Sequence, residues 1–186
     1  VSDGTTPVTS TAAVTVSAVN DAPSFAAIAV SGTEDTTLTF TAANFTGAYT
    51  DPESTALASI TVATLPANGL LKLSGTNVSA NQVIPLASLP NLTYVPAANE
   101  NGAKTFTVTA SDGTASSAAA TVTMTLTAVN DAPVAAASTL TTIAEDVADG
   151  SNTGTLVSAL VTNFTDADSG AVKGIAVTAV DATNGT

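Results

Sequence analysis

Cysteine and histidine are both absent from this chain of 186 residues. Without cysteine there is no disulfide framework, no thiolate metal site and no cysteine nucleophile. Without histidine the chain lacks the commonest general base and the usual zinc ligand. No phosphate-binding loop is visible, and nothing singles out a carboxylate pair for glycoside hydrolysis. The sequence therefore predicts that the protein is not an enzyme.

Basic and aromatic residues are scarce. Lys72, Lys104 and Lys173 are the only basic residues against 15 acidic ones, which gives a net charge of -12. Such a chain is repelled by nucleic acid and by anionic membranes, so neither is expected as a partner. Aromatic residues make up 4% of the chain, which disfavours a carbohydrate-binding module. No apolar run is long enough for direct membrane insertion.

Threonine, valine and alanine are abundant and recur in short alternating runs, a composition that favours strands. Few bulky residues are available, which favours the thin core of a small β-sandwich. The predicted strands cover residues 38–40, 59–62, 70–73, 83–84, 92–95, 105–110 and 120–126. In the last two, one face should point inward, and its members are Phe106, Val108, Val122, Met124 and Leu126. The sequence predicts an all-β fold.

A repeat with a period of about 110 residues organises the chain. The repeated motifs are Ser-Asp-Gly at 2–4 and 111–113, Ala-Val-Asn-Asp-Ala-Pro at 18–23 and 128–133, Glu-Asp at 34–35 and 145–146, and Thr-Asp-x-Glu/Asp-Ser at 50–54 and 165–169. This order predicts three parts. Residues 1–20 are the tail of a preceding module, residues 21–131 a complete module, and residues 132–186 the first half of a following module.

We therefore expect the chain to be a window of a longer array. The rest of the third module either lies beyond this sequence or is supplied by another chain.

The acidic motifs lie at strand ends and in linkers, beside glycine, proline and asparagine. Turns of this kind can gather carboxylates and carbonyls around one ion. Calcium takes 6 to 8 oxygen ligands, and oxygens are the only ligands that a chain without cysteine and histidine offers. The sequence therefore predicts Ca²⁺ as the bound cofactor.

The chain resembles the cadherin-like tandem repeats of large bacterial surface adhesins, of the RTX-type and VCBS-like extender kind. The resemblance rests on the linker at 19–23, the acidic triplets at 51–53 and 166–168, the Ala-Ser-Asp-Gly turn at 110–113 and the Glu-Asp pair at 34–35. It implies tandem cadherin-like or Ig-like Greek-key β-sandwich modules of about seven strands each, arranged end to end.

The resemblance also implies one calcium site at each of two junctions. The first junction would use Asn20, Asp21, Asp51, Glu53 and Asp112. The second junction would use Glu34, Asn130, Asp131, Asp166 and Asp168, with Glu100 as a further candidate. Asp3 would take the place of Asp112 in the preceding module. The linkers lack the family's leading aspartate, at Ala18 and Ala128, so a junction should hold fewer ions than a full cadherin junction.

Each motif also has a simpler interpretation. Asn-Asp-Ala-Pro can be only a stiff linker, because proline restricts its own φ and the residue before it. Ser-Asp-Gly can be only a hairpin turn, and the acidic triplets can be solvated loops. The agreement of all the spacings favours one cation site per junction.

These features predict a structural extender segment of a secreted or surface-anchored bacterial adhesin, stiffened by calcium and located outside the cell. Its partners are the neighbouring modules of the same chain. One alternative is a subunit of a self-assembling filament or surface layer, in which a strand such as 11–18 completes the half module of an identical chain. The other is a carbohydrate-binding module.

Overall fold

The fold is seen in a computed structural model that describes residues 4–5, 11–143, 147–151 and 153–179. Its elements in chain order are β1 (Ser24–Phe25), β2 (Ile28–Thr33), β3 (Leu38–Thr39), α1 (Ala42–Thr46), β4 (Tyr49–Thr50), β5 (Ser59–Thr64), β6 (Leu70–Leu73), β7 (Thr76–Asn77), β8 (Val83–Pro85), a 3-10 helix (Leu86–Asn91), β9 (Leu92–Val95), β10 (Gly102–Ser111), β11 (Ala120–Thr127), a second 3-10 helix (Asp149–Ser151) and α2 (Val157–Leu160).

The strands form two main sheets. One has the order β2-β11-β10-β5-β8 and the other β3-β9-β6-β7, while β1 and β4 pair separately. The chain passes repeatedly from one main sheet to the other, including from β2 to β3, from β5 to β6 and from β9 to β10. Strand β2 runs parallel to β11, and the other strand pairs in the described residues are antiparallel. The all-β sandwich predicted from the sequence is confirmed.

Each of the seven predicted strands is present, several of them longer than predicted. The inward face of β10 and β11 is also confirmed, because its five predicted members are at most 2% exposed. The sequence prediction missed β2, which carries only Ile28 and Val30 as large apolar residues and has Gly32 where a third would stand. It also missed the two-residue strands β1, β4 and β7, which are too short to show a period.

Three phenylalanines form the centre of the core. The rings of Phe45 and Phe106 each lie 5.8 Å from that of Phe40, tilted and edge-on respectively. Phe45 comes from α1, which begins with a capping box: the Thr41 side chain accepts from the Asn44 backbone N–H, and the Asn44 side chain accepts from the Thr41 backbone N–H. The cap satisfies backbone donors of a helix too short to form alone, and burial of Phe45 holds it against the core.

The segments outside the sandwich contain little regular structure. Residues 11–20 have no assigned strand, and the bridge between Val134 and Thr165 repeats the pairing of Ser24 with Thr50 one period later. The helix α2 likewise occupies the position in the following repeat that α1 occupies in the module before it. The helices in the described part of the chain are too short or too polar to cross a membrane. The three predicted module boundaries stay predictions.

We expect Phe40→Ala to lower the free energy of unfolding by about 3–5 kcal/mol, because it leaves a cavity between two other rings. Urea denaturation followed by circular dichroism measures this loss. Val83→Ala is the control, since Val83 is 57% exposed on the edge strand β8, and its loss should be about 1 kcal/mol or less. Equal losses for the two variants would contradict the core assignment.

Candidate functional site

The turn after β4 presents the first predicted acidic pair. Asp51 Oδ1 accepts hydrogen bonds from the backbone N–H groups of Glu53 at 3.0 Å and Thr55 at 2.8 Å. An aspartate side chain in such a turn bonds to the backbone two residues on. Ser54, in the same turn, has φ of 62°. These bonds hold the carboxylate of Asp51 against the backbone of the turn that carries Glu53.

The first linker contacts this turn and a second one. The backbone N–H of Asp21 donates to Glu53 Oε2 at 3.2 Å. Asn20 Nδ2 donates to Asp112 Oδ2 at 2.9 Å and to the carbonyl oxygen of Asp21 at 3.0 Å. Together with the contact between Glu53 and Asp51, these bonds bring the five residues predicted for the first junction into one network.

Asp112 directly follows β10 and is 8% exposed. Its Oδ1 accepts from the backbone N–H groups of Thr114 at 2.6 Å and Ala115 at 2.7 Å. The bonds from Ala115 and Thr114, followed by the one from Asn20, hold the pKa of Asp112 below its ordinary value. The carboxylate is therefore the stable form, already satisfied on one oxygen by the hairpin.

The second junction repeats the contacts of the first. Asp166 Oδ1 accepts from the backbone N–H of Asp168 at 2.9 Å, and Asp168 Oδ2 accepts from the backbone N–H of Asp131 at 2.8 Å. Asn130 Nδ2 donates to the carbonyl oxygen of Asp131 at 2.9 Å. These bonds correspond one by one to those of the first linker and the turn after β4. Linker and acidic turn thus form a local unit that the sequence repeat specifies twice.

Glu34 joins the second junction to the sandwich. It follows β2 directly and is only 2% exposed. Its Oε1 accepts from the backbone N–H of Val129 at 2.7 Å, and its Oε2 accepts from Asn101 Nδ2 at 3.1 Å. Its own backbone N–H donates to the carbonyl oxygen of Thr127 at 3.0 Å. Beyond the last paired residues of β2 and β11, Glu34 therefore attaches the end of β2 to the start of the linker.

Three carboxylates converge at this junction. Oxygens of Glu34, Asp131 and Asp168 all lie within 4.8 Å of one another. Asp131 Oδ2 is buried and has no hydrogen-bond partner. Burial, and then the charges of Asp35, Asp168, Glu34 and Asp166, raise the pKa of Asp131. The cluster concentrates negative charge around an oxygen that has no hydrogen-bond partner. A bound cation would neutralise that charge and give the oxygen a partner.

Asp35 was not singled out from the sequence as a ligand, although its charge is one of those that raise the pKa of Asp131. Its Oδ1 accepts from the backbone N–H of Asn99 at 2.9 Å, and both residues have positive φ, 54° and 56°. The available signal was the Glu-Asp pair, which recurs as a pair at 145–146. Asn101, which holds Glu34, has no comparable signal because its partner is distant in sequence.

Some candidates lie elsewhere. Glu100 Oε1 accepts from Lys104 Nζ at 2.6 Å and from Asn68 Nδ2 at 2.7 Å, so this carboxylate is engaged inside the module. It is not one of the three converging carboxylates. Asp3 and residues 145–146 lie outside the described residues.

Residues 20–125, more than half of the chain, match the family model described as bacterial Ig domain. The matched segment begins in the first linker and covers both sheets except the last residues of β11. Comparison with curated proteins gives no match. The match confirms an Ig-like sandwich, whereas the closer likeness to cadherin-like extender modules stays a prediction.

We expect the stability deficit of Asp112→Asn to depend on pH. Because the folded pKa of Asp112 is lowered, its carboxylate stabilises the fold above the ordinary aspartate pKa of about 3.9, and this contribution disappears as the pH falls through the folded pKa. Urea midpoints of wild type and variant should therefore differ near pH 7 and approach each other near pH 3. Asp149→Asn is the control for loss of one charge. A deficit that is unchanged at low pH would show that the carboxylate charge is not what stabilises this turn.

Proposed function

Because the chain belongs to the bacterial Ig domain family, we propose that it is a structural extender segment of a secreted or surface-anchored bacterial adhesin, stiffened by Ca²⁺ where its modules meet. Domains of this family are typically structural modules without catalysis, and they are commonly extracellular or associated with the cell surface. The cadherin-like arrangement predicted from the repeat supplies the reason for calcium at the junctions.

The observation that carries the proposal is the convergence of Glu34, Asp131 and Asp168. These carboxylates come from three separate segments: the end of β2, the linker, and the acidic turn that follows the linker. Two unit charges 4 Å apart repel by about 1 kcal/mol in water and about 4 kcal/mol at an effective dielectric of 20. A cation among them replaces this repulsion with attraction and joins the sandwich to the segment that follows it.

The residues present fit a hard cation. All the ligands on offer are oxygens, and calcium accepts flexible shells of 6 to 8 of them. Glu34, Asp131 and Asp168 would hold the ion, and Asp131 would contribute its unpaired Oδ2. The bound ion would supply charge neutralisation, while the chain's own hydrogen bonds keep the acidic turn and the linker in position.

The function that follows is mechanical. A linker whose acids repel one another samples many orientations, and a linker tied to both neighbours by one ion does not. Calcium modules outside the cell typically bind at about 10⁻⁴–10⁻³ M. The proposed segment is thus flexible in low calcium and rod-like at millimolar calcium.

We expect calcium to raise the unfolding midpoint of the chain, by the equivalent of about 2.7 kcal/mol at a concentration about 100 times the dissociation constant. The double variant Asp131→Asn/Asp168→Asn should lose most of this rise, because it removes two of the three converging charges. Thermal melts in calcium and in chelator measure both effects. Asp149→Asn, which lies outside both predicted junctions, is the control for loss of a charge and should respond as wild type does.

Small-angle scattering of the same proteins tests the stiffening itself. Wild type should become more extended in calcium than in chelator, and the double variant should not. Identical wild-type profiles in the two conditions would sink the proposal, even if a melt showed that calcium binds.

One observation favours a second candidate, the self-assembling filament or surface layer with strand complementation between chains. Val14 and Val16 are 84% and 85% exposed, although they occupy the positions that Met124 and Leu126 hold in β11 one period later. Leu140, in the half module, is 71% exposed. An exposed segment with the alternating apolar pattern of β11 and a half module with exposed apolar residues suit pairing between chains.

In that candidate, wild type should form oligomers that grow with concentration, because each chain offers both a strand and an acceptor. Val14→Asp/Val16→Asp should abolish them, since it charges the face that enters the partner's core. Sedimentation velocity measures the distribution, with Val172→Asp as the control at a residue that is 99% exposed. A wild type that stays monomeric at high concentration would remove this candidate. The carbohydrate alternative gains no such support, since all seven aromatic side chains are buried or half-buried.

A further inference from the structure

Asn101 holds one oxygen of the buried carboxylate of Glu34. Its Nδ2 donates to Glu34 Oε2 at 3.1 Å, while the other oxygen of Glu34 accepts from the backbone N–H of Val129 at 2.7 Å. Glu34 is 2% exposed, so water cannot readily replace a donor that is lost. One oxygen of this buried charge therefore depends on a carboxamide.

The residue that follows Asn101 is a glycine, and both are exposed. Gly102 has φ of 82°, and a Cβ there would meet nothing within 4 Å. It is also the first residue of β10, and the end of a strand opens more readily than its middle. The backbone nitrogen of Gly102 is thus unshielded by a side chain, at a place where the backbone can turn.

We propose that Asn101 is a modification site, at which spontaneous deamidation converts the donor of Glu34 into a carboxylate. The backbone nitrogen of Gly102 attacks Cγ of Asn101, an N–Cγ bond forms, and the Cγ–Nδ2 bond breaks. The proton of the attacking nitrogen leaves with Nδ2 as ammonia. Water then opens the cyclic imide at either carbonyl, which restores a backbone amide and leaves the carboxylate of an aspartate or an isoaspartate. One water is taken up and one ammonia is released.

The two reacting atoms belong to adjacent residues. The ring therefore closes by rotation within Asn101 and requires no approach of distant groups. Groups linked in this way react far faster than separate molecules. The exposure of Asn101 leaves its side chain room for that rotation.

A second Asn-Gly pair within the described residues provides an internal comparison. The backbone carbonyl oxygen of Asn68 accepts from the hydroxyl of the buried Tyr94 at 3.0 Å. A Cβ at Gly69 would lie 2.5 Å from that hydroxyl oxygen. The peptide group between Asn68 and Gly69 is therefore packed against the core, which opposes its rotation toward the side chain. We expect deamidation at Asn101 and retention of the carboxamide at Asn68.

Deamidation places two carboxylates where a donor and an acceptor met. Glu34 Oε2 loses its hydrogen bond from residue 101, and two like charges face each other in a position with little access to water. A buried acceptor that loses its partner destabilises the fold, so the equilibrium constant for folding should fall about tenfold or more in the absence of a cation. The attachment of β2 to the linker is weakened at the same time.

The consequence for the junction rests on the calcium proposal. Glu34 is one of the three converging carboxylates, and a carboxylate at residue 101 adds a fourth beside them. Calcium should therefore stabilise the deamidated chain more than it stabilises the original one. Deamidation thus makes the segment more dependent on calcium as the protein ages.

Peptide mapping of aged protein tests the chemistry. Wild type is incubated at physiological temperature and pH, digested with trypsin and sequenced by mass spectrometry, with fresh protein as the starting value. Fragment 73–104 should gain the mass difference between a carboxyl and a carboxamide group at residue 101, in a fraction that rises with time. Residue 68, in fragment 1–72, should change much more slowly, and the Asn-Gly pair at 184–185 lies in the separate fragment 174–186. Asn101→Gln is the control, because its longer side chain keeps the carboxamide but closes a ring less readily.

Urea denaturation in chelator tests the loss of stability. Asn101→Asp should unfold at a lower urea concentration than wild type, and calcium should restore more stability to it than to wild type. Asn77→Asp is the matched control, since it makes the same change at an exposed residue of the edge strand β7 and should keep the wild-type midpoint. Aged wild type, separated by anion exchange into its amide and acid forms, gives the same comparison without a variant.

The proposal is overturned if residue 101 keeps its carboxamide in aged protein, or if residue 68 deamidates as fast. It is also overturned if Asn101→Asp and the aged acid form both match wild type in chelator. A wild-type midpoint that calcium does not move would contradict the calcium proposal alone, and the mapping and the chelator midpoints would still decide this one.

Discussion

The buried carboxylate of Glu34 determines where the chain leaves the sandwich. A charge that is 98% shielded from water must find hydrogen-bond donors, because an unpaired buried charge costs several kcal/mol. Glu34 finds them in the side chain of Asn101 and in the backbone of Val129, just after β11. The linker is therefore attached to the end of β2 before it reaches Asp131. The acidic cluster exists at this junction because that attachment brings the linker next to a second carboxylate.

The two junctions share a local unit and differ in what surrounds it. In both, the side chain of the linker asparagine donates to the carbonyl oxygen of the next residue. The backbone N–H of the linker aspartate donates to the second acidic residue of the turn. The first aspartate of the turn accepts from the backbone N–H of that second acidic residue. The first unit is completed by Asp112, from the hairpin at the top of the same module. The second is completed by Glu34, from the base of the module before it. A linker between two complete modules would have both kinds of neighbour, and more carboxylate oxygens than either junction shows alone.

Much of the sandwich was predictable because its long strands alternate cleanly, as the inward series through Met124 shows. The strand β2 was not predictable, because Gly32 interrupts its apolar series and its partner β11 lies about 95 residues away. The repeat identified the junction residues, and the structure brings them together in two networks. Asn101 and Asp35 were harder to find, because a role set by tertiary contact leaves no period. Glu100 became a calcium candidate because it falls near the position of an acidic turn in the cadherin-like repeats, whereas its contacts with Lys104 and Asn68 engage it inside the module.

The parallel pairing of β2 with β11 determines how the module responds to tension. The chain enters the sandwich shortly before β2 and leaves it directly after β11, and the two strands pair along six residues from Ile28 to Thr33. Pulling on the two linkers in opposite directions slides these strands along each other. The hydrogen bonds between them, which lie evenly spaced in a parallel pair, then carry the load together and must break together. A module built this way resists stretching along the line that joins its two linkers, because the load falls on the whole length of the parallel pair.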